Sequence, residues 1–284
     1  MSADQETTGP GAGTSAVKVT TGRADLHLHS LASDGTAGID EILAAALVEE
    51  LQVIAITDHD RIDAALAGQA LAVRRRLAVE VVVGEEISTR GGHLLGLWLT
   101  EPIKPWQSLR TSIAQVHEQG GLAIPAHPLF PYPLCAQGLM LRRLLAESDP
   151  VFHPDAIEVF NPTTFGRVHG RVVRFAEVHR LASVGSSDAH AVEAIGRGST
   201  TFPGRSAADL RDAILARESS WQGTFHPTAG QLGTFGRQLR KYGRDLRDET
   251  RGRVRKDGTG RDHGYPGGRQ LPPQLDLEAE DKRR

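Results

Sequence analysis

The stretch Val53-Ile54-Ala55-Ile56-Thr57-Asp58-His59-Asp60 carries a β-branched, apolar run straight into three ionisable side chains. Four apolar residues followed by threonine fit a short strand covered on both faces, as in a parallel sheet. An aspartate, a histidine and a second aspartate at its end need partners. Each polar group buried without one costs roughly 2–7 kcal/mol.

The same grammar recurs on both sides of this stretch. A strand over 24–29 contains Asp25-Leu26-His27-Leu28-His29, one over 79–84 runs into Glu85-Glu86, and one over 93–99 begins at His93 after Gly91-Gly92. A strand over 122–124 leads to Pro125-Ala126-His127-Pro128. The strand over 156–160 carries Glu158 and ends at Asn161, and that over 183–186 leads to Ser187-Asp188-Ala189-His190. Helix-period stretches alternate with them over 39–50, 63–76, 107–119, 139–147, 168–179 and 207–216. The first puts Ile42, Leu43, Ala46 and Leu47 on one side; the last opens with Ser206 and Asp209 in capping-box spacing. Strand and helix in alternation predict an α/β fold with a largely parallel sheet.

Active sites of such folds are built at the C-terminal ends of the strands, where the His, Asp and Glu residues fall. Alternation of side chains sends His27 and His29 to one face, about 7 Å apart along the backbone, so that two imidazoles can chelate one cation. About six polar strand ends converging on one mouth hold too many acceptors to satisfy each other, a conflict that divalent cations resolve. Imidazole and carboxylate donors suit manganese, zinc or iron, and the lack of cysteine ligands points to an open, catalytic site. Glu85 and Glu86 are both open as ligands at this stage, as is the role of Glu158. Asp25 and Asp58 are expected to orient neighbouring imidazoles. His117, His153, His169, His179, His226 and His263 match no motif and read as packing or solvent histidines.

Bulk properties narrow the class. The 284 residues allow one catalytic domain, placed at 23–225, between a small-residue polar tail at 1–22 and a Gly/Arg-rich tail at 226–284, both expected to be mostly disordered. Leu232, Phe235, Leu239, Tyr242 and Leu246 step along one helical face in the second tail, which Gly233, Gly236 and Gly243 each weaken by about 1 kcal/mol. A net charge of -2 and a pI near 6.6 give no global pull toward nucleic acid or anionic membrane. Cys135 is the only cysteine, which excludes an intrachain disulfide and a thiolate-rich cluster. With no leader-like N-terminus and no run of about 20 apolar residues, a cytoplasmic protein without membrane contact is expected. Neither phosphate-loop pattern, Gly-x-x-x-x-Gly-Lys-Ser/Thr or Gly-x-Gly-x-x-Gly, occurs in a strand-to-helix setting.

The succession His27-x-His29, Asp34-Gly35, Thr57-Asp58-His59, Gly84-x-Glu86-Ile87-Ser88, His127-Pro128 and Ser187-Asp188-x-His190 resembles the PHP superfamily, named for polymerase and histidinol phosphatase. The resemblance covers about 23–225 and implies a distorted (β/α)7 barrel, with a two- or three-metal centre at the C-terminal strand ends and phosphoester hydrolysis. It implies one ion on His27, His29, Glu86 and Asp188, with Glu86 bridging to a second on His127 and His93, and a third on Asp34, His59 and His190. It favours Glu86 over Glu85.

Hydrolysis is then expected by in-line attack of a hydroxide supplied by the ions. His190 or His59 would donate a proton to the leaving oxygen, Asp188 would hold metal at the reaction centre, and Arg61 and Arg197 would meet the phosphate. The resemblance points to a small phosphorylated substrate, a nucleotide such as a nucleoside 3′,5′-bisphosphate, or a short RNA. Relatives of that kind carry a long helical insertion before the His-Pro motif, whereas 33 residues separate His93 from His127 here. A histidinol-phosphate phosphatase and a non-catalytic metal-binding module are the alternatives, and an amidohydrolase lacks its usual carboxylated lysine. Nothing in the sequence sets the oligomeric state.

Overall fold

A computed structural model of the chain describes residues 20–164 and 166–225. The first 19 residues, the tail 226–284 with its expected amphipathic face, His226 and His263 lie outside the described residues.

The chain runs β1 (Thr21–Leu28), α1 (Ile39–Val48), β2 (Val53–Ile56), α2 (Asp63–Arg75), β3 (Glu80–Thr89), β4 (Gly92–Leu97), α3 (Leu109–Glu118), β5 (Leu122–Pro125), α4 (Gly138–Leu145), β6 (Ala156–Phe160), α5 (Gly166–His179), β7 (Ala182–Gly185), β8 (Gly198–Pro203), α6 (Ala207–Ala216) and β9 (Ser220–Gly223). β1 starts at Thr21, two residues inside the expected N-terminal tail, and β3 continues five residues beyond its expected end at Gly84.

Seven strands form one sheet in the order β5-β4-β3-β2-β1-β8-β9, and β6-β7 form a second, parallel pair. β1, β2 and β3 pair in parallel, but β4 runs antiparallel to β3 and to β5, and β8 and β9 are antiparallel additions beside β1. The uniform (β/α)7 repeat is therefore realised only in part, as a curled half-barrel of mixed direction. The cause is local. A turn of two residues between β3 and β4 is too short for a parallel crossover and forces a hairpin. Gly92 sits there at φ 111°, where an added Cβ would lie 2.3 Å from the Ala136 amide nitrogen.

The β6-β7 pair closes the open side. Asp155 N–H donates to Ala123 O at the foot of β5, and beyond β7 the Ala189 peptide bonds to the end of β1, accepting from His29 N–H and donating to His27 O. One apolar cluster fills the inside of the curl: Leu26, Val53, Ala55, Val82, Leu95, Ile124 and Val184 are all buried there. A second lies between sheet and helices, with Leu28, Ile54, Ile56, Val81, Val83 and Ile113. Ile42, Leu43 and Ala46 of α1 join it, whereas Leu47, expected on the same side, is 38% exposed. The expected capping box on α6 forms, with Ser206 Oγ accepting from Asp209 N–H and Asp209 Oδ2 accepting from Ser206 N–H.

The two layers show how the functional strands are phased. Ala24 and Leu26 belong to the inner cluster, so strict alternation would put His27 outside. A register shift between Asp25 and Leu28 breaks the alternation: Leu28 packs in the outer cluster, and His27 and His29 turn inward. On β3 the alternation is regular. Val82 faces in and Val81 and Val83 face out, so parity sends Glu86 inward and Glu85 outward. Among the described residues no helix is long and apolar enough to cross a membrane.

Candidate metal centre

The curl brings all nine expected ligand residues together around Glu86. Its Oε2 lies 3.4 Å from His27 Nε2, 3.3 Å from His29 Nε2 and 3.2 Å from His59 Nδ1. Its Oε1 lies 2.6 Å from His93 Nδ1 and 3.1 Å from His127 Nε2. Asp188 Oδ1 stands 3.5 Å from His27 Nε2 and 3.4 Å from His29 Nε2, and Asp34 Oδ2 stands 3.3 Å from His190 Nε2. Three sets of donor atoms converge within 4.8 Å: His27, His29 and Asp188; His59, Glu86 and His93; and His29, Asp34, His59 and His190. These differ from the implied partition in three respects: His29 and His59 each belong to two sets, Glu86 belongs to only one, and His127, although its Nε2 lies 3.1 Å from Glu86 Oε1, belongs to none.

The donor atoms fit cations better than they fit each other. His27 Nε2, His29 Nε2 and His93 Nδ1 are fully buried and make no hydrogen bond, although each lies within 3.5 Å of a carboxylate oxygen. The opposite ring nitrogens are held from outside. His27 Nδ1 lies 3.0 Å from Glu158 Oε1, His127 Nδ1 3.2 Å from Cys135 Sγ and His190 Nδ1 2.9 Å from Asp188 O. Imidazoles anchored in this way present Nε2 inward, the arrangement by which outer partners orient metal-binding histidines. Mixed nitrogen and oxygen donors without thiolate suit manganese, iron or zinc.

Two of these residues occupy unusual backbone. His127 has φ 31° and Asp188 φ 51°, left-handed values that cost residues with a Cβ about 1–3 kcal/mol each and persist where the surroundings enforce them. Both follow short strands, β5 and β7.

Electrostatics describe the centre before any cation enters. Burial pushes the Glu86 and Asp188 carboxyls toward neutrality, but the surrounding imidazoles outweigh it and hold both well below the usual carboxylate range. Burial likewise opposes charge on the histidines. Against it, Asp188, Glu86 and Glu158 raise His27 well above its ordinary value, and Asp34 and Asp188 bring His190 up to about 9. Protons therefore stand where cations would. Manganese uptake is expected to release protons, with affinity rising by about tenfold per pH unit for each proton displaced between pH 6.5 and 9. Calorimetry in buffers of different ionisation enthalpy measures this. For the metal-free protein the sign follows from the raised folded-state pKa of His190: its stabilisation is complete below pH 6.5, the unfolded value, and lost as pH rises through 9. Thermal unfolding of chelator-treated protein at pH 6 and pH 9.5 checks that.

Several expectations about neighbouring residues change. Glu85 is not at the centre. It faces the outer layer, its Oε2 accepting from Ile103 N–H, and burial pushes its carboxyl well up. Asp25 and Asp58 do not orient imidazoles through their side-chain bonds. Asp25 accepts from Ser187 N–H and Gly196 N–H, because the shift in β1 leaves it on the face opposite His27, and burial raises its pKa to about 6. Asp58 accepts from Ser30 N–H, Ser30 Oγ and Ser33 Oγ, bracing the loop after β1. The carboxylate that meets an imidazole is Glu158. Arg61 forks onto Asp63 at 2.6 Å and donates to Ala32 O, and Arg197 donates to Glu193 O at 2.8 Å. His117, His153, His169 and His179 pack as expected, the first between Val151 O and Asp155, the last against the Phe175 ring.

The Asp34 loop is closed by its glycine. Gly35 N–H donates to Ser30 O, Thr36 N–H donates to His190 O, and a Cβ on Gly35 would lie 2.2 Å from His29 O, a backbone atom. Gly35→Ala is expected to lower stability by about 1–3 kcal/mol and to weaken ion binding on the Asp34 side. Denaturant unfolding and metal content of the variant measure both.

The PHP domain model matches residues 25–129, and the PHP-associated model matches 166–219. The first contains His27, His29, Asp34, His59, Glu86, His93 and His127, and the second contains Asp188 and His190. An uncharacterized protein of Methanocaldococcus jannaschii is 35% identical over 152 residues, 49% of this chain and 81% of that protein. A 5′-3′ exoribonuclease of Haemophilus influenzae is 38% identical over 81 residues, 27% of this chain and 29% of the enzyme. Among solved structures, a two-domain protein of Bacteroides vulgatus described as containing a PHP-like metal-dependent phosphoesterase has a similar fold. The TM-score is 0.60 at 20% identity, covering 73% of this chain and 66% of that one.

Proposed function

The chain belongs to the PHP family, and from that premise we propose that it is a metal-dependent hydrolase of phosphoesters. The observation that carries the reading is the Glu86 carboxylate, faced within 3.5 Å by nitrogens of five imidazoles from β1, β4 and the ends of β2 and β5.

His27, His29, Glu86 and Asp188 would hold one divalent ion, Glu86, His93 and His127 a second, and Asp34, His59 and His190 a third. Bound there, manganese, zinc or iron supplies a hydroxide near neutral pH and offsets charge on the phosphoryl oxygens. The protein's own residues do the rest. Asp188, anchored by Asn161 Nδ2, orients the inner side of the site. His59 and His190 line the mouth with side chains 11% and 14% exposed, and in a form that holds only the first two ions either imidazole, when protonated, would be placed to pass a proton to a leaving oxygen. The Ser30 and Ser33 hydroxyls hold Asp58 and stiffen the loop bearing Asp34. Arg61 and Arg197 remain the cations proposed to meet the substrate phosphate, and to do so they would have to exchange the contacts with Asp63 and Ala32 O and with Glu193 O for it.

The substrate we favour is a nucleotide or oligonucleotide phosphate such as a nucleoside 3′,5′-bisphosphate or the end of a short RNA, in keeping with the exoribonuclease among the relatives. Manganese-loaded protein offered nucleoside 3′,5′-bisphosphate, a short RNA, a phosphodiester and histidinol phosphate is expected to turn over a nucleotide substrate fastest. Preference for histidinol phosphate would move the assignment to that phosphatase class. Stoichiometric metal with no turnover on an extended panel would make the chain a non-catalytic module.

A further inference from the structure

We propose that Glu158 is the positioning residue of the centre: one carboxylate that fixes the His27 ring and ties three ligand-bearing segments together. The inference rests on the reading of the cluster as a metal centre.

Glu158 lies in the middle of β6 and is 1% exposed. Its Oε1 stands 3.0 Å from His27 Nδ1 on β1. Its Oε2 accepts from the His127 backbone N–H beyond β5 and from Asn161 Nδ2 at 3.1 Å. Asn161 Nδ2 also reaches Asp188 Oδ2, 3.3 Å away beyond β7. Thus His27, His127 and Asp188, which come from separate strands, share one buried anchor. The anchor also satisfies the backbone at His127. That residue lies beyond the end of β5, and its buried N–H finds its acceptor in Glu158 Oε2.

The chemistry requires a carboxylate. Three N–H donors converge on two oxygens, and an ionised carboxylate has acceptor sites for all of them and no donor to clash. Glutamine offers one oxygen and one NH2. In either orientation the amide sets its own N–H groups against His27 Nδ1–H or against the His127 and Asn161 donors. Holding His27 Nδ1–H on Oε1 leaves Nε2 as the atom presented to Glu86 and Asp188, the orphaned position described above. A carboxylate behind a ligating imidazole also raises its basicity, and loss of such a partner typically weakens metal binding by about 10–100-fold.

The test is calorimetric titration of metal-free wild type, Glu158→Gln, Glu158→Ala and Asp188→Ala with manganese. It is paired with circular dichroism of each and with 15N NMR of the imidazoles in zinc-loaded protein. Zinc-loaded wild type is expected to show His27 protonated at Nδ1 in a strong hydrogen bond. Glu158→Ala should bind one manganese about 10–100-fold more weakly, and Glu158→Gln, still folded by circular dichroism, should fall between it and wild type with the His27 Nδ1–H proton moved upfield. A purely structural role for Glu158 would lower the Tm and leave manganese affinity and the His27 signals unchanged; that result overturns the proposal. Failure of the underlying reading is distinguishable, because Asp188→Ala would then bind manganese as wild type does.

Discussion

Glu86→Gln is expected to lose more than about a hundredfold in phosphoester turnover and to retain fewer metal ions per chain than the wild type. Outer partners of metal ligands cost about 10–100-fold when removed, and Glu86 stands inside them, facing the imidazoles directly. The substitution keeps the shape of the side chain but removes its charge. His27, His29, His59, His93 and His127 would then share one buried chamber without the carboxylate that all five face. In the metal-free state the five imidazoles would lose the one carboxylate they share as a partner, and in the loaded state two proposed ion positions would lose their common ligand. Metal analysis of purified protein, with turnover measured at saturating manganese, separates the two effects. Activity of Glu86→Gln close to wild type would remove Glu86 from the centre.

Gly198→Ala is expected to cost on the order of 3 kcal/mol of stability and to damage the centre as well. A Cβ on Gly198 would lie 2.0 Å from Ser186 O and 2.6 Å from Ser186 C, backbone atoms that cannot swing aside. The contact forces β8 away from the segment that leaves β7 toward Asp188 and His190. Phe160 stands 3.1 Å away on a third side and blocks relief in that direction. Denaturant unfolding gives the stability loss, and manganese content of the folded fraction gives the effect on the centre. A variant with wild-type stability would show that β8 does not pack on this segment as described.

The parts of the fold visible in the sequence are those in which one signal decides. The seven expected strands, six ending in polar residues and one beginning at His93, and the six helices are readable because apolar periodicity and ionisable groups coincide at the strand boundaries. β8 and β9 are not. Gly198-Ser199-Thr200-Thr201-Phe202-Pro203 and Ser220-Trp221-Gln222-Gly223 are polar short segments whose strand state comes from pairing with β1 and with each other, a tertiary effect. The direction of β4 was hidden for a related reason. Gly91-Gly92 signals a turn, and only a turn this short combined with pairing to β3 makes a hairpin.

At the centre, residue identity was more legible than residue role. Parity along β3 separates Glu86 from Glu85 once Val82 is known to face inward, a fact the sequence alone does not contain. The irregularity in β1 carries no glycine or proline to announce it. Asp25 therefore read as a neighbour of His27 when it faces the other way and holds the Ser187 and Gly196 peptides. The sequence leaves the role of Glu158 open between ligand and non-ligand, because its partners on β1 and beyond β5 are 131 and 31 residues away in the chain.

The most direct test of the account follows metal content and phosphoester turnover in one sample, through chelation and reconstitution with manganese. The account predicts that stripped protein is inactive and that activity returns in proportion to the manganese taken up, reaching full value at two or three ions per chain. Turnover that survives complete stripping, or a wild-type chain that takes up no divalent ion, would contradict it.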